Sequence, residues 1–548
     1  MAPSEQTPKE MAIQTDIVGL PPAEKDTVTA AHGHSALCGW RLRLLTIGLC
    51  LCCFLSALDS IIVSTSLTAI AKDLQNFEKS SWVVSSYLTC YFSFMIIWAK
   101  VSDFIGRKPM LVTAVIFFLA FSGGCGGAKT MLQLIILRAF QGIGGAGIFS
   151  MVPIVTAEMV SPDRYALYNS FISLAIAISF LLGPLIGGAI SDSTTWRWIF
   201  YINLPVGAIG IVLICLTMPA AFPDVSKPTT LWSAPRSVNL RGKVDYAGFF
   251  ILLVACILLI VAIEEAGVSF AWDSALVIVF LVLSIVLFGA FVVWEWQLYR
   301  TKSTRESVFP WQFVKNRFLM GLCLTALLSG VPFMTLILEL PGRFQTLNND
   351  SGLDAGIRIL PLTLTIAFGS GLTGGLTARG RVPPFMVFLA AAILQVLGVG
   401  LLYSVHPSTT LSARLYGYQV LSGLGIGLSL TTAIMTMPSV VGKHNLSVAL
   451  GSITQLRILG GAIGVSTATN LLNNTVENHL RTELPPNILE NILKDIAVAE
   501  TLPAHTQTLI RTAFADGYHK QLLMVLGFCA AQLFALSLMW ERPFRRLT

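Results

Sequence analysis

Long apolar segments recur along this chain of 548 residues and constrain its fold more than any other feature. A helix rises about 1.5 Å per residue, so about 20 apolar residues cross the roughly 30 Å hydrocarbon core of a bilayer. Because 54% of the residues are hydrophobic and only 12% are charged, a water-soluble protein is excluded. The sequence therefore predicts an all-α integral membrane protein. About fourteen segments have the required length of roughly 18 residues or more, at 44–70, 83–99, 109–128, 132–157, 166–190, 199–219, 246–264, 274–296, 318–340, 354–376, 384–404, 414–438, 447–471 and 521–540.

The Lys and Arg residues fall mostly on one side of these predicted spans. If the N-terminus is cytoplasmic, most of them lie in inner segments, and the short outer loops hold only Lys72, Lys79, Lys129, Arg197, Arg343, Arg358 and Arg414. Cytoplasmic loops carry an excess of Lys and Arg, so we expect both termini in the cytoplasm. The net charge of +7 thus follows the membrane side and does not indicate nucleic-acid binding.

Three N-glycosylation sequons occur in the chain. Asn349-Asp350-Ser351 and Asn473-Asn474-Thr475 fall in predicted outer loops, which agrees with this orientation, and we predict glycosylation at Asn349 and Asn473. The third, Asn445-Leu446-Ser447, falls on the inner side and shows how weak the sequon pattern is alone.

Two ionisable residues of opposite sign lie at similar depth in the predicted spans. Asp59 is about fifteen residues, or roughly 22 Å, from the inner end of the first span, and Arg138 is roughly 10 Å below the outer end of the fourth. An intramembrane charge costs about 2.5–3.5 kcal/mol even on permissive scales, so we expect both side chains to face the protein interior. Depth leaves open whether they contact each other or pair elsewhere.

Other polar residues within the apolar segments are candidates for a substrate cavity. We expect an apolar cavity with Gln141 and Gln455 as polar groups. Arg457, near mid-depth of the thirteenth span, either binds an anionic group or braces a neighbouring helix. Glu339 and Arg343 stand four residues apart, so they either pair locally or Glu339 contacts a particular substrate.

The fifth predicted span has an unusual backbone, with the sequence Leu182-Gly183-Pro184-Leu185-Ile186-Gly187-Gly188. In lipid, such a helix is tolerated only where neighbouring helices pack against it. Ala175, Ser179, Gly183 and Gly187 recur at four-residue spacing and form one smooth face. We predict close packing that lets two helix bundles rock, with a bend at Pro184.

The second and third spans are joined by Ala99-Lys100-Val101-Ser102-Asp103-Phe104-Ile105-Gly106-Arg107-Lys108-Pro109. Gly106 permits a turn that a branched residue would strain, and Pro109 can open the next helix. Asp103 can pair with a cation or cap a helix. Taken alone, Arg107 and Lys108 are ordinary inner-face charges.

Together these stretches resemble the major facilitator superfamily, and they occur in the expected order: Leu58-Asp59, the loop from Asp103 to Lys108, Arg138 with Gln141-Gly142, and the antiporter-motif helix Gly183-Pro184-x-x-Gly187-Gly188. The segment 196–207 and the span count are similar to the fourteen-helix drug:proton antiporter branch. In the family, the loop latches the cytoplasmic side of two bundles in the outward-open state. Here Phe104 replaces its usual first Arg, so we expect a weaker latch.

The resemblance covers nearly all of the chain from residue 40 on and implies the major facilitator fold, with two six-helix bundles plus two inserted helices. We expect a disordered cytoplasmic tail at 1–40, an N-terminal bundle at 41–220, an inner connector and the inserted helices at 221–300, and a C-terminal bundle at 301–540. That bundle includes a long outer loop at 472–519, and 541–548 form a cytoplasmic C-terminus. Residues 373–381 resemble the loop that contains Asp103, without its acidic residue, and this weak internal repeat supports a chain built from two related halves.

The resemblance implies proton-coupled export of hydrophobic small molecules, such as a fungal secondary metabolite, toxin or drug, by alternating access. Asp59 and Arg138 would couple the proton. We expect a functional monomer in the plasma membrane, with the vacuolar membrane as alternative, and neither a cofactor nor a metal.

Other function classes fit the sequence less well. An ATP-driven pump would need a Gly-x-x-x-x-Gly-Lys-Ser/Thr loop, which does not occur. A membrane enzyme would need converging His, Cys or carboxylate groups, yet all seven histidines lie in the tail or loops. Two alternatives stay open: uptake or vacuolar exchange of iron chelates or basic amino acids, and a transporter-like receptor that moves no ligand.

Overall fold

A computed structural model describes residues 39–75, 79, 82–219, 222, 245–266, 270–301, 305, 307–309, 311–348, 350, 352–377, 381–405, 412–441, 445–481, 483, 485 and 503–544. Within these ranges the regular structure is helical, apart from one isolated bridge between Ala266 and Phe270. The helices are α1 (Trp40–Thr65), α2 (Leu67–Asp73), α3 (Trp82–Ser93), α4 (Met95–Ile105), α5 (Arg107–Gly126), α6 (Met131–Met159), α7 (Pro162–Ser193), α8 (Trp198–Tyr201), α9 (Asn203–Thr217), α10 (Tyr246–Glu265), α11 (Ala275–Arg300), α12 (Trp311–Lys315), α13 (Arg317–Asn348), α14 (Gly352–Arg358), α15 (Leu360–Thr377), α16 (Pro384–Ser404), α17 (Arg414–Val440), α18 (Leu446–Leu480) and α19 (Ala504–Ser537).

The prediction of an all-helical membrane protein is confirmed. In the described ranges, twelve helices are long and apolar enough to cross a membrane, and α3 with α4, bent by 45° at their junction, makes a thirteenth. The predicted span at 354–376 falls on α14 and α15, and α15 is rich in Gly, Ser and Thr. Because of this composition, α15 is not among the helices that are apolar enough to cross a membrane by this criterion. The count of fourteen transmembrane helices therefore stays a prediction.

The helices form two groups that we call the N-terminal and C-terminal bundles. In the first, α1 packs on α7 and α9, and α6 packs on α3 and α5. In the second, α13 packs on α18 and α19, and α17 packs on α15 and α16. The two bundles meet along two seams, where α4 lies against α18 and α7 lies against α15.

The pair α10 and α11 lies beside the first of these seams. Helix α10 packs on α11, on α3 of the N-terminal bundle and on α18 of the C-terminal bundle. Two hydrogen bonds join its C-terminal end to α18: Ser466 Oγ donates to the Ile263 carbonyl, and Asn470 Nδ2 donates to the Ala266 carbonyl at 3.0 Å. The inserted pair is therefore bonded to the C-terminal bundle while it also contacts the other one.

Glycines on α6 bring the helices of the N-terminal bundle into close contact. A Cβ on Gly142 would collide with the Tyr87 carbonyl of α3, and one on Gly144 would lie 2.5 Å from the Phe118 amide nitrogen of α5. Any side chain at these positions would push the helices apart. This packing fixes the position of the polar residues one turn earlier on α6.

The predicted smooth face of the fifth span packs closely, but inside one bundle. A Cβ on Gly183 would lie 3.2 Å from Ile61 Cγ2 of α1, and Ser66 Oγ donates to the Gly187 carbonyl at 3.2 Å. The predicted close packing is present at Gly183 and Gly187, where the partner is α1 of the same bundle, and a role in rocking the two bundles stays a prediction. Pro184 and Gly188 lie on the same helix, and the bend at Pro184 stays a prediction.

The outer connection predicted at 472–519 is shorter than expected, because α18 continues to Leu480 and α19 begins at Ala504. Leu472, Val476 and Leu480 repeat at four-residue spacing and pack against Phe514 and its neighbours on α19, which explains the longer helix.

The sequon at Asn473 therefore lies on a helix rather than in a loop, and its Thr475 is buried. The predicted loop position of this sequon is wrong, and glycosylation there loses its structural support. Asn349, the tail at 1–38 and most of the connector at 221–245 lie outside the described residues.

Candidate functional site

A buried ion pair joins α1 and α6 in the N-terminal bundle. Arg138 Nη1 donates to Asp59 Oδ2 at 2.5 Å, and both side chains are fully buried. The two charges predicted at similar depth thus contact each other directly. Because both side chains are buried and joined, each charge offsets part of the cost of placing the other in the protein interior.

Two amides complete the surroundings of the Asp59 carboxylate. Gln141 Nε2 donates to Asp59 Oδ1 at 2.9 Å, and Asn203 Nδ2 of α9 donates to the same oxygen at 3.0 Å. Asn203 also donates to Ser122 Oγ at 2.9 Å. Gln141 is fully buried in this cluster and is not among the residues that line the central cavity, so its contact with a substrate stays a prediction. Its three-residue spacing from Arg138 places both on one face of α6.

The Arg138 guanidinium has acceptors besides Asp59. Its Nε donates to the Val83 carbonyl at 3.2 Å, and its Nη1 donates to Gln141 Oε1 at 2.9 Å. The guanidinium carbon lies 4.0 Å from the centre of the Tyr87 ring, a favourable cation–π distance. The cation therefore has protein partners besides the Asp59 carboxylate.

A central cavity lies between the two bundles. Its volume of about 60 Å³ holds a few water molecules but falls below the roughly 300–1,000 Å³ of typical small-molecule sites. The structure therefore shows a contracted cavity. Its lining is mostly apolar and comes from both bundles: Cys53, Phe149, Pro153, Asn169, Ile172, Ser173, Ile176, Phe180, Phe333, Ile337, Thr363, Ile366, Leu430, Ile434 and Arg457.

Of the three cavity residues predicted in the second half, Arg457 alone lines this cavity. Gln455 is buried and its Nε2 contacts Cys256 Sγ of α10 at 3.5 Å. Glu339 lines a separate small cavity inside the C-terminal bundle, where it accepts bonds from Thr469 and Gln521. Neither residue is among those that line the central cavity, because depth in a span does not tell which neighbour a side chain faces, and their contact with a substrate stays a prediction.

Glu339 and Arg343 do not form the local ion pair that their spacing allowed. No carboxylate of the described chain lies within 4.0 Å of the Arg343 guanidinium, although both side chains line the same small cavity. Glu339 is bonded instead to hydroxyl and amide groups of α18 and α19.

The loop between α4 and α5 links the two bundles on the inner side. Arg107 Nη1 lies 2.7 Å from Asp103 Oδ1, and its Nη2 lies 2.8 Å from Glu158 Oε1 of α6. Ser447, in the first turn of α18, accepts from Arg107 Nη2 and donates to Asp103 Oδ1, each at 2.5 Å. We call Asp103, Arg107, Glu158 and Ser447 the inner gate. It bonds the N-terminal bundle to α18 of the C-terminal bundle in this structure, and its name follows the orientation predicted for this loop.

Gly106 and Lys108 have structural roles beside the inner gate. Gly106 has φ 107°, a conformation that a residue with a side chain adopts only with strain. Lys108 Nζ donates to the Cys215 carbonyl at 2.7 Å and to the Met218 carbonyl at 2.5 Å, at the end of α9. Lys108 therefore holds its own bundle together and does not reach across to the other.

A second polar link joins the bundles beside the central cavity. Asn169 Nδ2 of α7 donates to Thr431 Oγ1 of α17 at 3.0 Å. Ser447, Thr431 and Asn203 are functional candidates that the sequence interpretation missed. Ser447 belongs to the sequon Asn445-Leu446-Ser447, and Asn203 belongs to the segment 196–207. Each residue was interpreted as part of that pattern, and its hydrogen-bonding capacity was not considered.

Comparison with known proteins gives the same class. The family described as the Major Facilitator Superfamily matches residues 49–465. The chain is 41% identical to the MFS-type transporter FPY5 of Fusarium mangiferae, over 93% of this chain and 85% of that one. It is 29% identical to the efflux pump aunC of Aspergillus niger, over 98% and 91%.

The fold also resembles that of a solved proton:xylose symporter, XylE, with a TM-score of 0.55 at 14% identity over 92% of this chain and 97% of that one. The helical bundles, the cavity between them and the family match agree with the resemblance seen in the sequence motifs. The chain therefore belongs to the major facilitator superfamily and is a multi-pass membrane transporter of small molecules.

Proposed function

We propose that this transporter exports hydrophobic small molecules, such as fungal secondary metabolites or drugs, in exchange for protons. The observation that carries the proposal is the fully buried pair of Asp59 and Arg138. The apolar lining of the central cavity supports a hydrophobic substrate, and the efflux pump aunC supports the direction of transport.

In this mechanism, Asp59 is the group that carries the proton. A nearby cation favours the ionised form of a carboxyl group, and loss of that contact or of solvent favours the neutral form. A small displacement of α1 against α6 changes the distance between Asp59 and Arg138 and so changes the balance. Arg138 keeps the Val83 carbonyl, Gln141 and the Tyr87 ring as partners while Asp59 is protonated.

The inner gate and the contracted cavity correspond to one stage of alternating access. Opening on the inner side requires the bonds from Ser447 to Arg107 and Asp103 to break, after which the cavity can widen and admit substrate from the cytoplasm. We propose that outward opening accompanies proton uptake by Asp59. Release of this proton to the cytoplasm then completes the cycle.

The test is cellular accumulation of a panel of fluorescent and cytotoxic hydrophobic compounds in pump-depleted yeast that express the chain. We expect lower accumulation than in control cells, and a protonophore should abolish the difference. Asp59→Asn should also abolish it. Asp73→Asn is the matched control, because Asp73 is a half-exposed outer residue bonded to Trp196 and Arg197.

Protonophore-sensitive efflux at the wild-type rate in Asp59→Asn would refute the role of Asp59. Absence of efflux in the wild type, with the protein at the cell surface, would favour import or a receptor. No cavity feature favours basic amino acids, since the residues that line the described cavity include Arg457 and no carboxylate. We further propose a functional monomer in the plasma membrane with both termini in the cytoplasm.

A further inference from the structure

The Arg457 guanidinium lines the central cavity without a hydrogen-bond acceptor or a carboxylate partner among the described residues, and the Tyr165 phenol is its electrostatic neighbour. Within the described ranges it donates no hydrogen bond, and no carboxylate lies within 4.0 Å of it. Arg457 is only 8% exposed, and its buried Nε has no hydrogen-bond acceptor. A buried cation is normally paired, so this arrangement needs an explanation.

A bracing role would require an acceptor on a neighbouring helix. The buried Arg138 shows what a braced arginine looks like in this protein, with a carboxylate, an amide oxygen and a carbonyl as acceptors. Arg457 has none of these. Its charge is instead directed at a space that contains no protein acid.

The backbone that carries Arg457 is held rigidly. A Cβ on Gly330 of α13 would collide with the Arg457 carbonyl, and one on Gly460 would collide with the Leu327 carbonyl. Helices α13 and α18 thus interlock at this residue. Because this backbone is held, only the side chain of Arg457 loses freedom when an anion binds, which favours binding.

The rest of the cavity supplies an apolar surface and few free polar groups. The Asn169 amide donates to Thr431, and the Thr363 hydroxyl donates to carbonyls of its own helix. Phe149, Phe180 and Phe333 stand among the aliphatic residues of the lining. The site therefore combines one buried cation that has no carboxylate partner with a mostly apolar lining.

We propose that Arg457 binds an acidic group of the substrate, so that the substrates are amphipathic weak acids, each with an apolar body and one carboxylate, enolate or phenolate. The inference rests on the proposed function only in that the central cavity is the substrate site. A planar guanidinium binds such an anion through two parallel N–H groups, which an ester or amide cannot replace.

The test is equilibrium binding to the purified full-length protein at pH 7.5 without any gradient. The probes are two matched pairs, 11-(dansylamino)undecanoic acid with its methyl ester and 1-pyrenebutyric acid with its methyl ester, followed by their fluorescence. For at least one pair, we expect the wild type to bind the acid about tenfold or more tightly than the ester. Arg457→Gln should remove this preference and leave ester affinity unchanged.

Two further variants keep the test decisive. Arg343→Gln removes a different buried arginine and should leave the preference intact. Arg457→Lys keeps the charge but not the two-point contact, so the acid should bind more weakly while the ester does not change. If Arg457→Gln does not fold, the lysine variant decides.

No preference for either acid in the wild type, or an undiminished preference in Arg457→Gln, would overturn the proposal. For the lysine variant, an unchanged ratio of acid to ester affinity would also overturn it. Asp59→Asn should keep the preference, because Asp59 lies in the ion pair outside the cavity lining. Failure of proton-driven efflux and failure of acid binding are therefore separate results.

Discussion

Arg107 donates from Nη2 to Ser447 Oγ at 2.5 Å, so one hydroxyl joins the loop of the N-terminal bundle to the first turn of α18. The same hydroxyl donates to Asp103 Oδ1 at 2.5 Å. The contact between the bundles at the inner gate therefore depends on a residue of the C-terminal bundle as well as on the charged loop. Phe104 lies outside these contacts and packs near Lys100.

Ser447→Ala should open the inner gate. Hydrogen bonds to charged groups contribute about 1.5–3 kcal/mol, so the ratio of inward-open to closed protein should rise roughly 10- to 100-fold. Hydrogen–deuterium exchange of the purified protein should then be faster at residues 100–108. The control is Ser452→Ala, whose hydroxyl donates to the Val448 carbonyl of its own helix. Equal exchange in both variants would mean that Ser447 does not hold the gate closed.

Gln141→Ala should reduce proton-driven efflux without reducing equilibrium binding of a transported compound. Its amide contacts Asp59 and Arg138 and does not line the cavity. Removing it leaves polar atoms of the ion-pair cluster without a partner, and each such atom costs about 1–3 kcal/mol of stability. Efflux and binding are measured in parallel. Gln395→Ala is the comparison, since that buried amide donates to the Gly425 carbonyl in the other bundle. A loss of binding confined to Gln141→Ala would place the residue at the substrate instead.

Gly330→Ala should destabilise the protein. The added methyl group would collide with the Arg457 carbonyl, and overpacking of this kind typically costs about 1–3 kcal/mol. Thermal unfolding of the purified protein should show a lower Tm. Gly417→Ala serves as control because no atom lies within 4 Å of the added group. Equal Tm values for the two variants would show that α13 and α18 can move apart without loss of stability.

Glu295→Ala should lower the thermal stability more than Glu295→Gln. Glu295 Oε1 accepts bonds from the Val308 and Phe309 amides, each at 3.0 Å, and so ties the segment before α12 to α11. Alanine leaves two buried donors unpaired, at about 1–3 kcal/mol each, whereas the glutamine carbonyl can still accept them. The measurement is the Tm of each variant, compared with that of the wild type. A similar loss in both would indicate that the negative charge itself is required.

The sequence was informative about depth and poor about direction around a helix. Spacing along the chain placed Asp59 and Arg138 at one level, where the structure brings them together. The same reasoning placed Gln455 and Glu339 in the central cavity, yet they face α10 and the interior of the C-terminal bundle. A helix apolar on all sides carries no periodic signal for its polar residues, so only packing against neighbours decides where they point.

The same limit applies to partners from distant segments. Ser447 and Arg107 are 340 positions apart, and no local pattern links a serine on α18 to a loop after α4. Gly183 illustrates the opposite case, since its close packing was predictable from spacing while its partner, α1, was not. The fold class followed from long apolar segments and motif order, which are properties of the chain alone.

The inserted pair has a consequence for how a compound dissolved in the bilayer meets the transporter. Helix α10 lies along the α4–α18 seam and is bonded to α18, so protein covers that flank. Along the other seam, Phe171 of α7 and Phe368 of α15 are exposed on the outer surface of the helices. Among the described residues the two flanks therefore differ, since α10 covers one and aromatic side chains stand exposed at the other. We expect molecules dissolved in the bilayer to reach the bundles from the α7–α15 flank.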